Sequence, residues 1–339
     1  MRVLFIGGTG TISTACSRLC IGRRIDLWVA NRGRRNTRLA PGARYIQLDI
    51  NAPLNFIQDS LPNCIWDCVV DWTVFTPEQI LRDIALFREK TKQYIFVSSA
   101  SIYQGTDPGY RIKEDDPISS GIFAPYALQK AECENIVLGA FRKEGFPATV
   151  VRPGHTYAEF AIPTNIYGLG YGLVERIIQG KEIIVHDNGL SLWTLTHSND
   201  FAGGLVGLIG LFKSIGETFH ITSDEVLTWR EIFQTFQELL PKEVRMVFIP
   251  SQIIYEIDRQ LGAALVGDRA KNLIFDNTKI KSFVNGFHSR ISFREGLKRA
   301  LDWHARNQDK IYYNAKADAG VERIIAAYKR SPKNAFSRQ

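Results

Sequence analysis

No apolar run in this 339-residue chain reaches the roughly 18–20 residues that span a bilayer. The opening MRVLFIGGTG enters a strand-and-glycine pattern at once. It leaves no place for the apolar stretch of about 7–15 residues that a secretory signal needs, so a cytoplasmic address is expected. Cysteine is scarce and odd in number, at five, and a chain of this size needs no disulfide framework. Cys16 and Cys20 stand four apart, as do Cys64 and Cys68, but neither pair has C-x-x-C spacing. Both pairs lie in apolar surroundings and read as core, so no metal site is expected. There is no internal repeat and no low-complexity tract. The net charge of +7 suits a phosphate-bearing cofactor or substrate. Its basic residues lack interleaved aromatics, which argues against nucleic acid. They gather at Arg32–Arg38 and at Arg323–Arg338; the second group reads as a solvated helix with a disordered end, Ser331–Gln339.

What is present is an alternation of short apolar runs with amphipathic stretches over residues 1–157. Strands are expected at Val3–Ile6, Asp26–Ala30, Tyr45–Gln47, Cys68–Asp71, Tyr94–Ser98 and Thr149–Arg152. Helices are expected at Ser13–Leu19, Pro77–Glu89 and Pro125–Lys143. Parallel strands need such crossovers, so the fold class is α/β, a doubly wound parallel (Rossmann) sheet. From residue 158 to about 310 the rhythm becomes mixed. Helices are expected near Leu173–Gln179, Asp200–Leu211, Trp229–Leu239 and Phe293–Arg306, with strands at Trp193–His197 and Thr218–Thr222. This pattern suits a smaller α/β substrate lobe, some of whose segments can return to the first sheet. Residues 311–339 form a C-terminal helix and basic tail.

The first strand runs into Gly7-Gly8-Thr9-Gly10-Thr11-Ile12-Ser13. Glycine is needed where backbone turns tightly against a pyrophosphate, whose charge the next helix N-terminus stabilises. The second strand ends at Asn31, with Arg32, Arg34 and Arg35 following. A carboxylate at that point would accept from the ribose hydroxyls of NAD; arginines welcome a 2′-phosphate instead. NADP is therefore favoured, with NAD left open. Asp49, ending the third strand, either accepts from the adenine amino group or caps the next turn.

Tyr126 and Lys130 are four apart in a helix opened by Pro125, so phenol and ammonium share one face. A fixed cation beside a phenol favours the phenolate and moves its pKa down, toward the range useful for acid–base work. Ser99 follows the fifth strand at the ligand-bearing edge of the sheet and can bond the substrate oxygen that Tyr126 protonates.

The runs GGTGTIS, VSSASIY, Tyr126-x-x-x-Lys130 and VVRPGHTY, in this order, resemble the extended short-chain dehydrogenase/reductases, the NAD-dependent epimerase/dehydratase family. The resemblance covers roughly residues 1–305 and includes His197-Ser-Asn-Asp200-Phe-Ala202, similar to the family's V-x-D-x-A stretch. It implies a Ser99, Tyr126, Lys130 catalytic set, with Gly7, Gly10 and Ser13 cradling the pyrophosphate and Pro153 against the nicotinamide. The expected cofactor groove also takes in Thr9, Thr11, Ile12, Asn31, Arg32, Arg35, Asp49, Ile50, Trp72, Thr73, Val97 and His155. Ser101, His155, Trp193, His197 and Arg269 are the candidate substrate contacts, with Tyr157 and Asn165 behind them.

Three departures bear on substrate. Ala100 and Ser101 stand where water-eliminating members place an acidic pair, which argues against 4,6-dehydration. No arginine precedes the His197 segment to hold a diphosphate, and His155 replaces the usual asparagine. The expected activity is hydride transfer at a hydroxyl-bearing carbon of a sugar-like or nucleotide-sugar-like substrate, as an epimerase or dehydrogenase. A plain NADPH-dependent ketone reductase is the alternative; RNA-binding and redox-sensing relatives are weaker ones. A homodimer is expected through the Glu78–Glu89 and Tyr126–Lys143 helices, with Ile80, Ile84, Phe87, Val137 and Phe141 as its apolar contacts.

Overall fold

The computed structural model describes residues 1–118 and 125–330; the tail Ser331–Gln339, read above as disordered, lies outside them. The first half runs β1 (Arg2–Ile6), α1 (Thr11–Gly22), β2 (Asp26–Asn31), β3 (Arg44–Gln47), α2 (Leu54–Ser60), β4 (Cys68–Asp71), α3 (Pro77–Phe87), β5 (Tyr94–Val97), α4 (Pro125–Glu144) and β6 (Ala148–Pro153). There follow β7 (His155–Tyr157), α5 (Gly172–Ile178), β8 (Ile183–His186), β9 (Leu192–Trp193), β10 (Leu195–His197), α6 (Ser198–Leu208) and β11 (Thr218–Ile221). The remainder is β12 (Leu227–Thr228), α7 (Trp229–Leu239), β13 (Met246–Ile249), α8 (Ser251–Ile257), α9 (Arg259–Ala264), α10 (Thr278–Phe283), α11 (Phe293–Arg306) and α12 (Ala315–Arg330). A single π-turn, Leu265–Arg269, continues α9.

Seven parallel strands form the main sheet in the order β11-β6-β5-β4-β1-β2-β3. Side chains alternate between its faces. Val3, Phe5, Cys68 and Val70 meet the α1 and α6 side, whereas Leu4, Ile6, Val69 and Phe96 meet α3 and α4. Strand order reverses between β1 and β4, and ligands of open α/β sheets bind outside the strand ends at such a switch point. Six of these strands come from the first half of the chain. The seventh, β11, expected as a strand at Thr218–Thr222, and helix α6 return to this sheet from the C-terminal half.

The expected dimer contacts need correction. Ile80, Ile84, Phe87 and Val137 are buried within the chain against the sheet, and Phe141 is partly buried beside them. Leu81 of α3 and Leu128 of α4 are the exposed apolar residues instead. The run Trp193–His197 is two strands, since Leu192–Trp193 pairs with β12 and Leu195–His197 with β7. Helix α12 is solvated on one face only: Arg323 and Arg330 are exposed, whereas Val321, Ile324 and Ile325 are buried and Asp318 meets the buried Arg176 at 2.7 Å. The second lobe is centred on Trp229, fully buried among His155, His186, Trp193 and Phe233 with ring centroids 5.4–6.3 Å apart. The cysteines are free, and Cys16, Cys20, Cys68 and Cys133 are buried. Among the described residues no helix is long and apolar enough to cross a membrane.

Candidate active site

The loop after β1 carries two consecutive left-handed glycines, Gly7 at φ 108° and Gly8 at φ 94°. A Cβ on Gly8 would come 2.8 Å from Val29 Cγ1, and one on Gly7 3.1 Å from Trp72 Cβ. Helix α1 fixes this loop with its own hydroxyls. Ser13 Oγ accepts from the Gly10 amide at 2.8 Å, Thr14 Oγ1 donates to the Gly10 carbonyl at 2.7 Å, and Ser17 Oγ donates to the Gly8 carbonyl at 3.2 Å. Ser13 thus closes the helix entry from within the protein. The half-exposed Thr11 and Ile12 occupy the first turn, where amides lack intrahelical partners. Thr9 is buried in the loop.

Asn31 ties the end of β2 to that loop: its Oδ1 accepts from Gly33 N at 2.7 Å, and its Nδ2 reaches Gly7 O at 3.5 Å. Arg32 and Arg35 are exposed, and Arg38 is half-buried with its guanidinium 4.1 Å over the Phe160 ring. Burial and the charge of Arg35 push the Arg38 pKa down, so two cations stand together here. Asp49 Oδ1 accepts from Asn51 N at 3.1 Å and so caps the next turn. Ile50 is buried behind it. Trp72 packs edge-on against Phe5, and Thr73 donates to Asp71.

Ser99, Tyr126 and Pro153 line one cleft of about 720 Å³ with Ser101, His155, Trp193 and Arg269. The Ser99 and Ser101 hydroxyls are 2.7 Å apart. Tyr126 is 45% exposed into this cleft, so its phenol is reachable. Lys130 lies beneath, fully buried, with Nζ donating to Val74 O at 2.5 Å and Val97 O at 2.8 Å. An ammonium has three donors, so one remains after those two bonds. The same nitrogen sits 4.7 Å from the Phe75 ring, 5.0 Å from Phe96 and 5.9 Å from Tyr126. Burial pulls its pKa down to about 8, against the opposing charge of Asp71. The phenol departs from expectation. Burial raises the Tyr126 pKa, and the nearby Ser99 hydroxyl opposes this.

His155 Nδ1 accepts from Trp193 Nε1 at 3.2 Å, and burial with the charge of Arg269 pushes its pKa down to about 3. It is therefore a neutral imidazole whose other nitrogen carries the proton. His197 does not reach the cleft. It is fully buried, its Nδ1 caps α6 by accepting from Asn199 N, and its Nε2 lies 3.6 Å from Glu159. Asn165 is bonded to Ile184 O, and Tyr157 is buried beside His197. The sequence reading passes over Phe75, Tyr167 and Asp268. Asp268 also lines the cleft, and its Oδ1, like Arg269 Nε, is buried with no hydrogen-bond partner. Its adjacency to Arg269 was the only sequence signal, since burial of a turn residue leaves no pattern.

The family model for the NAD dependent epimerase/dehydratase family matches residues 3–221. The 2'-dehydrokanamycin reductase of Streptomyces kanamyceticus is 22% identical over 255 residues, 74% of this chain and 70% of that protein. The chloroplast stem-loop binding protein of 41 kDa b of Arabidopsis thaliana is 24% identical over 242 residues, 67% of this chain and 60% of that protein. The chain thus spans less than two thirds of the second relative's length. The structure of dTDP-glucose 4,6-dehydratase from Bacillus anthracis in complex with NAD has the same fold. Its TM-score is 0.74 at 15% identity, covering 92% of this chain and 98% of that one. The family model spans well over half of the chain, and the chain belongs to the NAD dependent epimerase/dehydratase family.

Proposed function

We propose that the chain is an NAD(P)-dependent epimerase or dehydrogenase acting at a hydroxyl-bearing carbon, with Ser99, Tyr126 and Lys130 as its reactive set. The observation that carries this reading is the convergence of Ser99, Tyr126 and Pro153 on one cleft above a buried Lys130. The positive-φ glycines, and the clashes a Cβ would make there, fit a dinucleotide. When bound, the dinucleotide supplies the hydride acceptor or donor. Tyr126 takes the substrate's hydroxyl proton as the carbinol hydrogen leaves as hydride, and returns it in the reverse direction. Ser99 donates a hydrogen bond to the same oxygen, and the neutral His155 donates without adding charge.

Phe75, Trp193, Leu273 and Phe275 give the cleft apolar walls, with Asp268 and Arg269 among its polar residues. Apolar walls with a few polar groups fit a sugar-like or nucleotide-sugar-like substrate. NADP is favoured over NAD by the paired cations Arg35 and Arg38. A homodimer through the outer faces of α3 and α4, bearing Leu81 and Leu128, suits the exposed apolar residues there. Free cysteines suit a reducing, cytoplasmic compartment.

The test is the dinucleotide released by acid from the purified protein, with its spectrum. Tightly held NAD(H) or NADP(H) supports an epimerase that recycles its nicotinamide. An empty protein that binds NADPH and exchanges it freely supports the second reading, a ketone reductase, which the reductase named above favours. Salt-sensitive RNA affinity with no dinucleotide bound at micromolar levels overturns both.

A further inference from the structure

The cleft that holds Ser99 and Tyr126 is also lined by a surface that the reaction as described leaves unused. That surface is one face of α9 and of the π-turn continuing it. Gln260, Ala263, Ala264 and Gly267 line the cleft at helical spacing, while Leu261 and Leu265 turn away into the core. Two alanines and a glycine make most of this face a shallow shelf. The shelf is firmly held. Asp258 Oδ1 accepts from Leu261 N at 3.0 Å, Arg323 of α12 pairs with the same carboxylate, and a Cβ on Gly262 would strike the Tyr255 backbone. From Gln260 to Gly267 it extends about 10 Å, at roughly 1.5 Å per residue, longer than one sugar ring is wide.

Tyr167 stands in the same cleft with 65% of its surface exposed. Its backbone is anchored on both sides: Ile166 is buried, and the Gly168 carbonyl accepts from Asn314 Nδ2 at 3.2 Å. A phenol carried on so fixed a backbone offers its aromatic face to the apolar face of a ring, with a polar tip left in water.

Charge narrows what can lie there. Among the described residues lining the cleft, the charged side chains are Asp268 and Arg269, adjacent in the chain and opposite in sign. Lys271 is exposed and lines a separate depression with Gly105 and Asp107. Residues 119–124 contain no charged side chain in the sequence. A diphosphate would bring two negative charges to a cleft with no net positive charge, and unmatched charge taken out of water is costly. A glycosidic link brings none.

We propose that this part of the cleft is a second sugar subsite, and that the substrate is a neutral glycoside. Its reacting ring lies at Ser99 and Tyr126, and its second ring rests on the α9 shelf against Tyr167. The inference deepens the functional reading above and rests on the place it gives to Ser99 and Tyr126. Gln260, exposed at the start of the shelf, supplies both a donor and an acceptor for hydroxyls of the second ring.

The experiment is saturation-transfer NMR on the purified protein, with and without added NADPH. The probes are maltose, cellobiose and lactose, with methyl glucoside as the one-ring comparison and UDP and dTDP as the diphosphates. At least one disaccharide should receive saturation on both rings, and neither UDP nor dTDP should displace it at millimolar concentration. Tyr167→Ala, and separately Ala263→Leu on the shelf, should weaken that disaccharide by about three- to tenfold. Each should lower the saturation of one ring only and leave methyl glucoside binding unchanged. Displacement by UDP or dTDP overturns the proposal, and this arm needs no variant. So does binding of none of the three disaccharides, or a disaccharide affinity that neither variant changes. Disaccharide binding as expected in a protein that takes up no dinucleotide would overturn the functional reading and leave the subsite standing. A retained dinucleotide with UDP in the cleft would do the reverse.

Discussion

Glu134 and Arg152 form a fully buried pair, Arg152 Nη2 donating to Glu134 Oε2 at 2.6 Å and Nε to Oε1 at 3.0 Å. Glu134 is one turn beyond Lys130 on α4, and Arg152 immediately precedes Pro153, so this pair sets α4 against the strand that leads into the cleft. Removing one partner of a buried pair leaves an uncompensated charge and costs about 3–5 kcal/mol. Arg152 keeps bonds to the Tyr103 hydroxyl and Glu114 O, which places Glu134→Gln at the lower end, about 3 kcal/mol. Urea denaturation of Glu134→Gln checks this. An unmoved midpoint would mean that α4 is held by apolar packing alone.

A second prediction concerns Gly8, which the glycine pattern includes but whose need is visible only in the backbone. At φ 94° an L side chain is strained, and its Cβ would press on Val29 Cγ1 inside the core. Gly8→Ala should lower stability by about 1–3 kcal/mol and weaken dinucleotide binding. Gly22→Ala, in a helix with open space around it, is the control. Equal melting temperatures and equal NADPH affinities for the two variants would show that the loop relaxes freely.

These two sites mark the line between what the sequence shows and what it conceals. β4 is read at its observed limits, and α7 and α11 likewise, because period and caps are local properties of the chain. Short strands β8 and β13 escape notice because each becomes a strand only by pairing with the other across 59 intervening residues. The residues proposed as reactive are legible because Tyr126 and Lys130 share a helix face and Ser99 follows a strand. His197 follows a strand in the same way, yet it turns inward to cap α6, and nothing in its neighbours' identities announces that direction. The phenol is a similar case. Spacing places Lys130 near Tyr126, but only the fold shows its ammonium committed to Val74 and Val97.

Acid should destabilise the fold well above the carboxylate range. Burial holds the His155 pKa at about 3 and those of His186 and His220 at about 4, against an ordinary value of 6.5. Above pH 6.5 both folded and unfolded chains leave these rings neutral, and the full stability is present. As pH falls below 6.5, the unfolded chain takes up protons that the native state refuses, so stability declines until the folded values are reached. Each ring contributes about 1.4 kcal/mol per pH unit across that window. Urea midpoints at pH 7 and pH 5 measure the slope, and His220→Gln should flatten it. A slope that His220→Gln leaves unchanged would assign the acid sensitivity to other groups.

The proposed preference for NADP is expected to rest on Arg35 and Arg38. Arg38 is held by the Phe160 ring at 4.1 Å and has no acidic partner within ion-pair distance among the described residues, while Arg35 adds a second positive charge beside it. A 2′-phosphate would relieve that repulsion and accept from both guanidinium groups; a ribose hydroxyl does neither. NADPH should therefore bind more tightly than NADH, with a difference that shrinks as salt rises. A hydrogen bond to a charged group contributes about 1.5–3 kcal/mol, so Arg38→Ala should cut the NADPH-to-NADH affinity ratio on the order of tenfold or more. Arg32→Ala, exposed at the end of β2, offers a comparison on the same loop. Fluorescence titration of both dinucleotides against the three proteins separates the outcomes. If Arg38→Ala weakens NADH and NADPH equally, the arginine holds the loop through Phe160 and does not read the phosphate.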